Sequence, residues 1–322
     1  MPMMLPQGQM TVYRSLAELP PAFGPSIAAI GNFDGVHRGH QQILAAIIAQ
    51  ARSQRARSIA ITFEPHPDQF LRPTSAPMLL TPTPERLLRL SATGVDAILL
   101  LPFDHALAEL SARDFVRTVL VEALALRGLH EGANFRFGHR AEAGVVELAR
   151  FGAEYGFTLH VHQAVRVHGL EVSSSAIRQY VAGGDMTRAR WMLGRAFTIV
   201  STPIRDRGVG SRLLVPTINL APCSGQLPAS GVYVTCLTVN GRRFQAVTNV
   251  GNRPTFAGAG FSIESHILDF EPIDLTPETP IELAFLHRLR PEVAWPSPEA
   301  LKAQILRDVA QAKRYHRLAS RC

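Results

Sequence analysis

Cysteine is nearly missing from this chain: three residues in 322, Cys223, Cys236 and Cys322. They are scattered, without the paired spacing of a zinc site, and so few thiols fit a reducing compartment. Long apolar runs are missing as well, so no stretch reads as a membrane span. The first ten residues, M-P-M-M-L-P-Q-G-Q-M, lack a charged region leading into an apolar core. These absences predict a cytoplasmic protein with no membrane partner. Runs of like charge are also absent. Lysine and arginine outnumber aspartate and glutamate by 33 to 26, a net +7, yet the basic residues never gather into a stretch. The excess suits anionic ligands, nucleotides or nucleic acid alike, so charge alone decides nothing; the partners expected are small molecules and no nucleic acid. There is no internal repeat or low-complexity linker, and nothing in the sequence bears on oligomeric state.

What is present points to two domains. At roughly 100 to 200 residues per domain, 322 residues make two units, each able to bury a core. In the first half, strand-like stretches at residues 26–30, 58–63, 96–103 and 157–164 alternate with helix-like ones at 41–52, 85–93 and 112–126. That alternation predicts an α/β domain with a parallel sheet covered by helices, whose ligands sit at the carboxyl ends of the strands. From about residue 197 to 289 the helical period gives way to short alternating runs. Val232, Val234 and Cys236 precede a hairpin turn read at Asn240-Gly241, and Phe244, Ala246 and Thr248 follow it. This predicts a small antiparallel β-barrel. A C-terminal helix follows, opened by Ser297, Pro298 and Glu299. The boundary is expected near residue 190, giving domains 1–190 and 191–322.

The chemistry of the first half centres on residues 30–40, I-G-N-F-D-G-V-H-R-G-H, between the first strand and the first helix. Gly31, Gly35 and Gly39 let backbone approach a ligand, and the free N–H groups at the helix start favour a phosphate. His37 and His40 stand three apart, so both imidazoles can fall on one side of the first turn. Further on come E-P-H-P at 64–67, N-F-R-F-G at 134–138 and V-S-S-S-A-I-R at 172–178. Each has a plainer account as a turn or a helix cap. The second half adds P-T-I-N at 216–219, G-V-Y at 231–233, N-V-G-N-R-P-T-F at 249–256 and I-E-S-H-I-L-D-F at 263–270.

The H-x-G-H signature is that of the nucleotidyltransferase superfamily. Taken in order with the other motifs, the chain resembles the bifunctional riboflavin kinase/FMN adenylyltransferases, the prokaryotic FAD synthetases. The resemblance implies a Rossmann-like nucleotidyltransferase domain followed by a riboflavin kinase-like barrel. Riboflavin and ATP would give FMN, and FMN with a second ATP would give FAD and pyrophosphate. It further implies that Gly31, Asn32, Phe33, Asp34, Gly35 and Gly39 bind nucleotide around a catalytic His37 and His40, with Ser174, Ser175 and Arg178 on the departing pyrophosphate. Pro65, His66, Asn134, Phe135 and Arg290 would hold flavin. In the kinase site Gly208, Gly210, Thr217 and Asn219 would take ATP, Thr217 and Asn219 would serve Mg2+, and Glu264 would accept the ribityl hydroxyl proton. Where the family usually has G-R-x-x-G-F-P-T-A-N, this chain has G-S-R-L-L-V-P-T-I-N at 210–219; the usual G-D after F-R-F-G appears as Ala143-Gly144, and the usual L-Y-G-K as residues 275–278, L-T-P-E. Three alternatives stay open: a chain with one of the two sites impaired, a flavin-binding regulatory descendant, and another nucleotidyltransferase such as a cytidylyltransferase.

Overall fold

A computed structural model describes residues 3–4, 10–204, 217–255, 258–269 and 273–319. The chain divides into two compact units, 1–174 and 175–322, so the helix Met186–Leu193, and the helix Ser174–Ala182 from its second residue, group with the second unit.

The first unit is built on a seven-stranded sheet ordered Met3–Met4, Thr11–Tyr13, Ala97–Pro102, Arg57–Glu64, Ser26–Ile30, Leu126–Gly132, Thr158–His162. Neighbours run parallel except for the first pair. Ser26–Ile30 is buried at every position, as expected of a strand covered on both faces. Alternate side chains feed two cores. Ala28, Ile30, Ile59, Ile61, Leu99 and Leu101 pack under Phe115, Val119 and Leu148 on one face. Ile27, Ala29, Ala60, Ile98 and Leu100 meet Leu44, Ile47, Leu87 and Leu90 on the other. Leu44, Ile47 and Ala51 are the buried residues of the helix Arg38–Gln54, at helical spacing. Later strands are added on both sides of Ser26–Ile30, which makes the gap between it and Leu126–Gly132 the switch point of the sheet.

Two expectations are corrected here. The stretch read as one helix over 112–126 is a short α-helix, Ala112–Phe115, continued by wider π-helical turns, Val116–Ala123. The strand that follows, Leu126–Gly132, is central although it reads L-R-G-L-H-E-G. Its polar letters hid it, because the histidine and glutamate are buried by their neighbours.

The second unit carries an antiparallel sheet ordered Phe197–Ser201, Ile281–Pro291, Gly231–Val239, Arg242–Thr255, Gly258–Ile267, Thr217–Leu220, Pro203–Ile204. Its first and last strands are separated in sequence by Thr202 alone, so the sheet must curl until its edges meet, as a barrel does. Ala221 N–H donates to the Thr202 carbonyl at 2.8 Å and Ser201 Oγ to the Ala221 carbonyl at 2.7 Å across that seam. The hairpin turns at Asn240 and Gly241, both at positive φ, as the Asn-Gly pair predicts. The helix Pro298–Ala319 lays Val309, Ala312 and Tyr315 over Val232, Val234 and Val247. Ser297 Oγ caps it, accepting the Ala300 N–H at 3.2 Å.

Candidate active sites

The 30–40 motif forms the loop expected of it. Gly31 N–H donates to the Ile61 carbonyl at 3.0 Å, which ties the loop's first residue to the neighbouring strand. Gly35, at φ +83°, turns the chain in a conformation a side chain resists. His37 caps the helix Arg38–Gln54, its Nδ1 accepting the His40 N–H at 3.3 Å. A neutral His37 therefore carries its proton on Nε2 and can donate from there. The two imidazoles stack, with centroids 3.6 Å apart and planes 15° apart, and Phe33 closes on His40 edge-on at 5.2 Å. Burial, and after it the charge of His37, pushes the His40 pKa well below the usual histidine value. His40 Nδ1 is buried with no hydrogen-bond partner among the described residues. The arrangement is a pair of imidazoles at a positive helix end, where an anion gains from both dipole and donors.

The loop is held from below. The Asp34 carboxylate, 1% exposed, accepts the N–H groups of Leu80 and Thr81 at 3.0 and 2.9 Å and the Thr81 hydroxyl at 3.2 Å. Thr81 Oγ1 in turn accepts Gly35 N–H at 2.9 Å, and Ser174 Oγ donates to the Asp34 carbonyl at 2.9 Å. Arg86, also 1% exposed, reaches the Asn32 carbonyl at 3.0 Å, the Phe63 carbonyl at 2.8 Å and Glu64 at 3.3 Å. It thereby ties the loop after Ser26–Ile30 to the end of the neighbouring strand Arg57–Glu64. His66, 3% exposed, caps the helix Pro67–Leu71 through Nδ1, which accepts Asp68 N–H at 3.1 Å. Pro65 and Asn134 are exposed, and Phe135 stacks on Phe137 at 5.5 Å.

The second unit holds a cavity of about 420 Å³ between the curled sheet and the C-terminal helix. Two rows of side chains run across the sheet here, and Thr217, Val232, Val247, Asn249, Glu264, His266 and Arg290 among them line the cavity. Asn219, Glu264, Asn249, Val232 and Arg290 stand at matching positions on successive strands, and Thr217, His266, Val247 and Val234 form the next row. Because residues two apart share a face, both rows lie on the same face of the sheet. Trp295, Leu301, Ile305 and Val309 roof the cavity. Ser262 Oγ donates to Glu264 Oε1 at 2.9 Å. Asn219 Oδ1 is buried with no hydrogen-bond partner among the described residues. Arg290 pairs with Asp308 at 2.8 Å and lies over Trp295 at 5.5 Å. A mostly apolar slot of this size with oxygen groups at one end suits a flat organic ligand bearing a polar tail.

A family profile described as FAD synthetase matches residues 20–176, and one described as riboflavin kinase matches residues 193–316. The bifunctional riboflavin kinase/FMN adenylyltransferase of Pseudomonas fluorescens is 38% identical over 309 residues, covering 94% of this chain and 97% of its own length. The chain belongs to the bifunctional riboflavin kinase/FMN adenylyltransferase family. The member from Escherichia coli K12 is 34% identical, covering 90% of this chain and 92% of its own. A solved structure described as a macrolide-efflux protein from Streptococcus pneumoniae superposes with a TM-score of 0.84 over 95% of this chain and 99% of that one, at 24% identity. That likeness speaks for the fold alone.

Within this family frame, the residues marked in the sequence fall in two groups. His37, His40, Gly31, Asn32, Phe33, Asp34, Gly35, Gly39 and Ser174 come together in the first unit. Thr217, Asn219, Glu264 and Arg290 share the cavity side of the second. Ser175 and Arg178 lie on the helix Ser174–Ala182, which groups from Ser175 onward with the second unit. Gly208, Gly210 and the departures at 211–216 lie outside the described residues. Sequence reasoning passed over Arg86, Thr81, His266 and Asp308. Arg86 left one signal: an arginine four residues before Leu90, inside the apolar stripe of its helix.

Proposed function

We propose that this chain phosphorylates riboflavin with ATP in the cavity of the second unit, and adenylylates FMN with a second ATP at the 31–40 loop. The observation that carries the reading is the pairing of a stacked two-histidine anion site with a cavity that places Glu264 beside Asn219 and Asn249. In the first reaction Glu264 takes the proton of the ribityl 5′-hydroxyl as its oxygen attacks the γ-phosphorus of ATP, and ADP leaves. The rims at Thr217 and Asn219 bind nucleotide, and Val232, Trp295 and Arg290 hold the isoalloxazine. Mg2+ fits the donors present: the buried Asn219 Oδ1 has no hydrogen-bond partner among the described residues, and Thr217 and Asn219 offer oxygens to a hard cation. When bound with nucleotide it would neutralise phosphate charge.

In the second reaction an FMN phosphate oxygen attacks the α-phosphorus of ATP and pyrophosphate departs, with no covalent enzyme intermediate. His37 and His40 donate to the oxygens on which charge builds, a preorganised stabilisation in a dry site. Ser174, Ser175 and Arg178 receive the pyrophosphate, and Pro65, His66, Asn134 and Phe135 hold the flavin. The test is a double dissociation with products resolved as FMN and FAD. Glu264→Gln is expected to lower FMN formation by roughly 10² to 10⁴ while FMN adenylylation persists. His37→Ala with His40→Ala should do the reverse. Equal loss of both activities in either variant would refute two independent sites.

A further inference from the structure

The pairing of the two central strands of the first unit stops short. Ser26–Ile30 and Leu126–Gly132 match at Ser26 with Leu126, Ile27 with Gly128 and Ala28 with Leu129. Beyond that point a side chain takes over from the backbone: Ile30 N–H donates to Glu131 Oε1 at 2.7 Å. Glu131 is 2% exposed. On the outer side, Glu131 stands opposite Val161 and His130 opposite His160. Alternation therefore sends Glu131 away from the histidines and onto the face of Leu129, the face whose core holds Phe115, Val119 and Leu148. A carboxyl in those surroundings is costly to ionise. Burial drives its pKa well above the carboxylate range, and only the Ile30 N–H pulls the other way. His130, His160 and His162 lie across the sheet. On the helices packed over Glu131's own face, Asp114 pairs with Arg117, Glu154 with Arg113, and Glu147 accepts the Gly144 N–H.

This is the switch point of the sheet, where a crevice opens between strands that part. Gly31 is fixed on one side by the Ile61 carbonyl, and Ile30 on the other by Glu131. The strand that carries Glu131 leads, three residues later, to Asn134 and Phe135. We propose that Glu131 is a positioning residue of the adenylyl-transfer site: by standing in for the backbone ladder it keeps the two central strands apart at their ends and sets the start of the 31–40 loop against the loop of Asn134 and Phe135. The proposal rests on adenylyl transfer at that loop. The carboxyl works as the neutral acid, whose carbonyl oxygen accepts from Ile30 as a backbone carbonyl would. Ionised, it would have to be hydrated, which opens the crevice to water and loosens the loop.

The test uses the full chain. FAD formation from FMN and ATP is followed from neutral to alkaline pH, FMN formation from riboflavin is followed in parallel, and circular dichroism monitors the fold. Glu131→Ala removes the acceptor and should lower kcat for adenylyl transfer on the order of tenfold, with FMN formation unchanged. Glu131→Gln keeps a neutral acceptor, so it should hold kcat within about threefold of wild type and remove the fall in rate at alkaline pH. Wild-type adenylyl transfer in the alanine variant would overturn the proposal. So would a glutamine variant as impaired as alanine with the alkaline fall still in place. If the alanine variant loses its circular dichroism signal, the alkaline limb of the glutamine variant decides alone. A wild-type chain that makes no FAD overturns the underlying reading and this proposal with it, whereas an active chain indifferent to Glu131 overturns only the proposal.

Discussion

Asp34 sits in the loop motif, and the family resemblance assigns it to nucleotide, yet its carboxylate is turned to the protein. Asp34→Ala leaves the N–H groups of Leu80 and Thr81 without their acceptor at a position that is 1% exposed. At about 1 to 3 kcal/mol per buried donor left unpaired, two donors predict a loss of about 2 to 6 kcal/mol. The lower half, about 2 to 4 kcal/mol, applies, because a loop can shift to admit a water. For a unit of this size each kcal/mol moves the midpoint by about 2 to 4 °C, so its transition should fall by about 4 to 16 °C. Asp34→Asn keeps one acceptor but turns an amide N–H₂ toward a backbone donor, and should fall between. Thr81→Val, which removes the hydroxyl between Asp34 and Gly35, should cost about 1 to 2 kcal/mol. Scanning calorimetry reads the first unit's transition. Parallel assays at 20 °C should show a higher KM for ATP in FAD formation and an unchanged rate of FMN formation. A variant with wild-type melting but weakened ATP binding would refute the tether, and would mean that Asp34 faces the nucleotide.

Stability of the first unit should fall on acidification below neutral, through the histidines around the edge strand Thr158–His162. His130 is pushed down to about 4 by burial first and then by His160 and His162, so the unfolded chain, titrating near 6.5, takes up the proton earlier. The contribution is complete above pH 6.5 and lost as pH falls toward 4. Its ceiling is about 3 kcal/mol, reduced because His160 opens to solvent. His130→Gln should flatten the difference in midpoint between pH 7.5 and 5, and parallel profiles for the two proteins would refute it. A fragment spanning 175–322 should fold and form FMN, whereas one starting at Gly194 should be less stable. The shorter piece lacks Met186, Ala189, Met192 and Leu193, all buried; equal urea midpoints would count against this. Asp308→Ala leaves Arg290 at the cavity edge without its partner. It should cost about 3 kcal/mol in urea unfolding and raise the KM for riboflavin, and an unchanged KM would remove Arg290 from the flavin site.

The alternation of strand and helix was legible because buried parallel strands are runs of apolar residues: S-I-A-A-I and A-I-L-L-L announce themselves. Leu126–Gly132 did not, although it is as central. Its Glu131 and His130 look like surface letters, but the Ile30 N–H partners the first and the Gln50 and His162 side chains the second. The candidate residues of each site stood out for a similar reason. Histidines three apart, or one glutamate in an alternating strand, are local patterns, and local patterns survive in one dimension. The residues that hold those groups are non-local: Thr81 meets Asp34 across 47 positions, Arg86 meets Asn32 across 54, and Glu131 meets Ile30 across 101. No periodicity can bring such partners together before the sheet order is known. The same separation bears on the departures at 211–216. A loop change can be read letter by letter, but its effect depends on which distant strand the loop closes against. Here the neighbours of the strand that follows the loop, Thr217–Leu220, are fixed: it pairs with Gly258–Ile267 and brings Asn219 beside Glu264. The register that sets Asn219 beside Glu264 therefore stands on the ladder between those two strands, and the loop letters alone are no ground for reading the proposed kinase site as lost.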